Sequence, residues 1–117
     1  MLKDNNELCG IEPVKKEWVD DLVAGIERGY GIHIQKAILF GSRAINEHIT
    51  WSDYDICFIS ADFKGMKPWE RMEIMLGEWH GERPLEPICY TPEEFNTLKI
   101  SLIDEIKNNG RIIYGGF

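Results

Sequence analysis

The sequence predicts an α/β (α+β) fold, a small mixed β-sheet of about four strands with helices packed on it. Three observations lead there. Short apolar runs bounded by turn residues recur along the chain, and stretches with helical spacing of apolar residues separate them. A length of 117 residues, 44% hydrophobic and 28% charged, suffices for one core and not two.

Residues 1–14 are mostly polar, include Pro13 and read as a lead-in; residues 15–117 form a single domain without repeat or linker. From Lys15, apolar residues at Trp18, Val19, Leu22, Val23, Ile26 and Tyr30 keep helical spacing until Gly29 and Gly31 stop it. Lys36–Phe40 reads as a short strand broken by Gly41-Ser42. Asp53–Ser60 is the second strand, and its run Ile56–Ile59 points to burial on both faces. Pro68–His80 is expected to be a helix with proline in its first turn and a core-facing stripe of Trp69, Met72, Leu76 and Trp79. Leu85–Tyr90 is the third strand. Thr91-Pro92-Glu93-Glu94 is a capping box with proline at the first helical position. The helix it opens carries Phe95, Leu98, Leu102, Ile103 and Ile106 on one stripe and runs to Asn109-Gly110, a stop signal. Arg111–Tyr114 is a last strand whose exposed edge could pair across a homo-oligomer. The element order places the helices on one side of the sheet.

Thirteen basic against twenty acidic residues give a net charge of −7, which excludes a nonspecific DNA or RNA coat but not a nucleotide bound with cations. The longest apolar runs, Ala37–Phe40 and Ile56–Ile59, are far too short for a membrane span of roughly 20 residues. Met1–Glu7 has no apolar core of the signal-peptide kind, so a cytoplasmic location is expected. Cys9, Cys57 and Cys89, with His33, His48 and His80, lack the spacing of a disulfide framework or a structural zinc site.

The chemistry concentrates in Leu39-Phe40-Gly41-Ser42-Arg43-Ala44 and Ser52-Asp53-Tyr54-Asp55-Ile56. In the first segment a strand runs into Gly-Ser. Unpaired backbone N–H groups and a glycine there let a phosphate approach the main chain, with the Ser42 hydroxyl and Arg43 guanidinium adding donors. An ordinary turn is the alternative. In the second segment Asp53 and Asp55, two positions apart on a strand, project from one face. Two carboxylates so close call for something positive between them, and a divalent cation preferring oxygen is the natural answer. The alternative there is a turn residue, Asp53, beside a solvated Asp55. Twelve positions separate Gly41 from Asp53, enough for a turn of helix and a return loop that bring both segments to one end of adjacent antiparallel strands. Glu86, on the next strand, is available as a third carboxylate.

Gly-Ser-Arg-Ala followed by Ser-Asp-x-Asp-Ile and a later acid resembles the minimal nucleotidyltransferases of the DNA polymerase β superfamily, over roughly Lys36 to Tyr114. The resemblance implies a small mixed sheet flanked by helices. It also implies that Gly41 and Ser42 hold the phosphates of a nucleoside triphosphate, with Arg43 and Ser52 in the nucleotide-binding set. Asp53, Asp55 and Glu86 would be the catalytic residues and the ligands of magnesium, two ions in this family, with Glu86 helping to activate the attacking hydroxyl. The implied reaction is transfer of a nucleotidyl group, AMP from ATP, to an acceptor. Minimal members pair with a helical HEPN toxin that they silence, so the resemblance implies an antitoxin acting on a protein partner. The chain departs from the family in carrying Asn46 where glycine is frequent and Glu86 where aspartate is common. Pro87 beside it points to a sheet edge or a bulge.

The remaining conspicuous residues have plainer readings. Met66, Met72 and Met75 are expected as core filler, Cys57 as a buried small side chain and Trp51 as packing for the return loop. Trp69 and Trp79 are expected to cover the sheet; exposed, they would mark a partner surface. A different class of function remains open, that of a nucleotide-binding module which acts by occupying a partner protein without catalysis.

Overall fold

The computed structural model describes residues 14–41 and 53–115. Its elements are α1 (Lys16–Tyr30), β1 (Lys36–Phe40), β2 (Tyr54–Ile59), a 3-10 turn (Ala61–Phe63), α2 (Pro68–Glu78), β3 (Leu85–Tyr90), α3 (Pro92–Thr97), α4 (Ser101–Asn109) and β4 (Arg111–Gly115). The strands form one sheet in the order β3-β2-β1-β4. β1 pairs antiparallel with β2 and with β4, while β2 and β3 run parallel. This is the mixed four-stranded sheet that the apolar runs predict. The lead-in, Ser42, Arg43, Asn46, His48, Trp51, Ser52 and Cys9 lie outside the described residues.

Helices cover both faces of the sheet, not one. Strand alternation sends Ala37 and Leu39 of β1 and Tyr54, Ile56 and Phe58 of β2 to one face, where Val19, Leu22, Val23 and Ile26 of α1 and Met75 of α2 bury them. Ile38, Phe40, Cys57 and Ile59 point the other way and meet Ile106, with Phe95 and Leu102 packed alongside. A continuous apolar strand such as Ile56–Ile59 requires this arrangement, since uncovered it would leave half its side chains in water.

The C-terminal helix is in fact two helices. Thr91 and Glu94 form the expected capping box, each backbone N–H donating to the other's side-chain oxygen at 3.0–3.1 Å. The helix then stops at Leu98 (φ −68°, ψ 134°), and α4 begins after an extended Ile100. α3 is held beside β3 and α4 lies on β1, two strands away, or about 10 Å across the sheet. One straight helix cannot do both, so the stripe breaks and Leu98 is left exposed.

α2 is also rotated from expectation. It buries Arg71 and Met75, whereas Trp69, Met72 and Leu76 face solvent. The reason is the Arg71 guanidinium, which donates to both Glu94 carboxylate oxygens (2.8 and 3.2 Å), to the Cys89 carbonyl (3.0 Å) and, through Nε, to the Met66 carbonyl (3.1 Å). With four of its five N–H donors engaged in this way, an arginine can occupy a core position, and it ties α2 to the end of β3 and the start of α3.

β3 is an edge strand, as Pro87 predicts. The Tyr54 N–H donates to the Pro84 carbonyl and the Ser60 N–H to the Tyr90 carbonyl. In this parallel register the even-numbered residues of β3 turn their backbone groups toward β2, so Pro87 sits where its missing N–H would face outward. No bulge is needed.

Candidate functional site

The sheet register assembles one end of the fold into an acidic site. Phe40, the last residue of β1, lies opposite Asp55, and Asp55 lies opposite Glu86 of β3. Chain alternation puts the Asp55 and Glu86 side chains on the face that carries α4, at the mouth where β1 ends and β2 begins. Asp53 immediately precedes β2 and is half-buried, as is Asp55, while Glu86 is exposed.

Gly41 is held at φ +74°, in the left-handed region that an L-residue rarely adopts. A β-carbon there would overlap Oδ2 of Asp55 and stand 3.3 Å from its Cγ. The Asp55 carboxylate therefore lies directly over the main chain at the point where β1 turns into the segment of the Gly-Ser motif. The group that approaches Gly41 closely is thus a carboxylate of the acidic pair, whereas the sequence reading expects a phosphate there.

The electrostatics are those of crowded carboxylates. Burial pushes the Asp55 carboxyl up to about 6, and Glu86 pushes the same way through its charge and a hydrogen bond shared with Asp55. The charges of Asp53 and Glu105 add to the rise. Glu105, on α4, escaped the sequence reading. Its approach to the site depends on how α4 lies on β1, and no local spacing signals that.

The residues suit a divalent cation in kind, being hard oxygen donors that crowd negative charge together. Among the described residues no three acidic, histidine or cysteine side chains stand close enough to hold an ion by themselves. The adjacent pair is Asp55 and Glu86. That suits magnesium, which is commonly held by one or two carboxylates, with substrate phosphates and water completing its shell. Zinc is a poorer match. The Cys57 and Cys89 thiols are free and buried, and burial raises the pKa of both, so neither offers a ready thiolate. Cys57 thus takes the core role expected of it.

Behind the acids, on the opposite sheet face, three rings meet. Tyr54 lies 5.9 Å from Trp18 and 5.9 Å from Trp79, centroid to centroid, and the two tryptophans lie 6.1 Å apart, with interplanar angles of 57°, 69° and 77°. Trp79 thus packs against the core, as expected, while Trp69 stays on the surface.

Among the described residues no helix is long and apolar enough to cross a membrane. No curated protein matches the chain by sequence. A candidate nucleotidyltransferase from Sulfolobus solfataricus superposes with a TM-score of 0.61 at 18% identity, covering 86% of this chain and 79% of that one. A toxin–antitoxin structure with AMP-PNP gives a TM-score of 0.55 at 17% identity, and a toxin–antitoxin MntA–HpeT mutant gives 0.52 at 15%. Each covers 88% of this chain and 75% of its own. At such identities these likenesses speak for the fold. The model of the family described as polymerase beta, nucleotidyltransferase matches residues 30–116, a span that takes in every strand and the whole acidic site. The chain belongs to the polymerase β nucleotidyltransferase family.

Proposed function

We propose that the protein is a magnesium-dependent nucleotidyltransferase that passes AMP from ATP to a hydroxyl of a partner protein, acting as the antitoxin of a pair. The observation that carries this reading is the Asp55 carboxylate lying over Gly41, with Glu86 opposite it in the β2–β3 register. In this reading the Gly41 main chain and Ser42 receive the triphosphate, and Arg43 and Ser52 complete the nucleotide contacts. Asp55 and Glu86, adjacent across β2 and β3, would hold the metal, Asp53 at the head of β2 would join them as substrate phosphates complete the shell, and Glu86, the most open of the three, would accept the proton of the attacking hydroxyl. Magnesium held by these carboxylates, two ions in this reading, would supply positive charge against the α-phosphate and the departing pyrophosphate. In this reading the carboxylates orient the metal, and the left-handed φ of Gly41 keeps a side chain off the turn beside them.

The toxin–antitoxin neighbours support a protein acceptor, and a helical HEPN-type toxin is the partner we propose. A cytoplasmic setting accords with the two free thiols of the core. The test is incubation with α-phosphate-labelled ATP and Mg2+, with and without the product of the adjacent gene. Label on that product, lost when Asp53 and Asp55 are both changed to Asn, is the expected result.

A second reading rests on a separate observation. Trp69, Met72 and Leu76 form an exposed apolar stripe on α2, the kind of surface through which a non-catalytic module would occupy a partner. A stable complex that forms without any label, and survives the double Asp variant, would select it.

A further inference from the structure

We infer that Trp79 is a positioning residue: it holds the leading ends of β2 and β3 together, and so fixes the separation of the Asp55 and Glu86 carboxylates. The inference rests on the metal-binding role proposed above. Tyr54 stands between Asp53 and Asp55 in the chain, and alternation sends its ring to the opposite face of the sheet. There it is gripped by Trp18 and Trp79 at 5.9 Å each. The indole Nε1–H of Trp79 donates to the Arg83 carbonyl at 2.8 Å. The next residue, Pro84, accepts the Tyr54 N–H at 2.9 Å. One side chain therefore touches both approaches to the site: Tyr54, flanked by the two aspartates, and Arg83-Pro84, which lead into β3 and Glu86.

The ring is located from its other side as well. Gly81 lies so close beneath Trp79 that an added β-carbon would overlap the indole, with Cε2 at 2.6 Å and Cζ2 nearer still. The indole is thus wedged between Tyr54, Trp18 and the Gly81 backbone, with its nitrogen anchored. The β2–β3 backbone pairing sets the register of Asp55 and Glu86, and Trp79 braces that pairing at its leading end, where the two crowded carboxylates push apart. Partners hydrogen-bonded to metal ligands typically contribute 10- to 100-fold in metal affinity, and Trp79, one residue removed from the acids, is placed at the lower end of that range.

The experiment titrates Mn2+, alone, into the full chain by calorimetry well below the melting temperature, for the wild type, Trp79→Phe, Gly81→Ala and Ile26→Val. Trp79→Phe keeps an aromatic ring but removes the bond to Arg83, and Gly81→Ala pushes the ring aside with its methyl while leaving Trp79 itself unchanged. Both are expected to weaken Mn2+ binding by about 10-fold. Ile26→Val, a core change in α1 away from the acids, serves as the stability control and is expected to bind Mn2+ like the wild type even where its melting temperature falls as far. Equal Mn2+ affinity in the wild type and both site variants overturns the inference alone. A comparable loss of affinity in Ile26→Val overturns it too, since general destabilisation would then account for the effect. A wild type that binds no Mn2+ overturns the proposed function, and this inference with it.

Discussion

Replacing Asp55 by Asn is expected to stabilise the metal-free protein. The carboxyl is half-buried next to Glu86, Asp53 and Glu105, and its pKa stands at about 6 instead of the ordinary 3.8. At roughly 1.36 kcal/mol per pH unit, that rise corresponds to about 3 kcal/mol of resistance to ionisation in the folded state. Because much of the group still faces water, screening reduces the figure to about 1–2 kcal/mol. The sign follows from linkage. Below about pH 3.8 the carboxyl is protonated in both folded and unfolded chains, and it costs nothing. As pH rises toward 6 the unfolded chain ionises first, so stability falls; above about 6 the full penalty is present. Asn keeps the shape, can still hydrogen-bond Glu86 and carries no charge. Urea denaturation in EDTA should therefore show Asp55→Asn more stable than the wild type by about 1–2 kcal/mol near pH 7.5, with the gap closing near pH 4. Added Mg2+ should raise the wild type toward the variant. A variant less stable than the wild type near pH 7.5, or a gap that does not change with pH, would refute the electrostatic account of the site.

Gly41→Ala should cost about 2 kcal/mol in stability through its left-handed φ and the displaced Asp55 carboxylate, and should abolish label transfer; thermal melts and the labelled-ATP assay read the two effects. Arg71→Met, which leaves Glu94 and the Cys89 carbonyl without their donor, should lose about 3 kcal/mol in urea denaturation. Glu94 is held below its ordinary carboxylate range chiefly by its hydrogen bond from Arg71, so its contribution is complete above about pH 4.5 and fades on further acidification. Glu94→Gln should remove that part of the acid sensitivity, measured by melting temperature against pH. Met75→Ala should cost about 2–5 kcal/mol, whereas Trp69→Ala should change stability by less than about 0.5 kcal/mol; equal costs would mean that α2 turns its other face to the core.

Much of the fold was legible because short-range rules govern it. β1 and β3 fall on Lys36–Phe40 and Leu85–Tyr90, where apolar runs end at glycine, proline or a capping threonine. The Thr91 capping box and the left-handed Gly31 that ends α1 are equally local. Pro87 marked an edge because a missing N–H can only face outward. The orientation of α2 was not legible. Trp69, Met72 and Leu76 make a more apolar stripe than Arg71 and Met75, and nothing near Arg71 in sequence announces Glu94 or the Cys89 carbonyl. The break between α3 and α4 escaped for a related reason: helical spacing continues through Leu98, and only the separate attachments of the two halves interrupt it.

The site divides in the same way. Gly41 and the Asp53/Asp55 pair stood out through their conjunction at this spacing and the family resemblance it carries, since either motif alone reads as an ordinary turn or a solvated acid. The contact between the Asp55 carboxylate and the Gly41 main chain, the partnership of Asp55 with Glu86 and the reach of Glu105 come from strand register and helix docking. The Tyr54 clamp, closed by Trp18 from α1 and Trp79 from the end of α2, belongs there too. The sequence by itself singled out the candidate acids and glycine and the strands that bear them. Their mutual distances were decided by the tertiary structure, since those depend on packing between residues far apart in the chain, which no local pattern encodes.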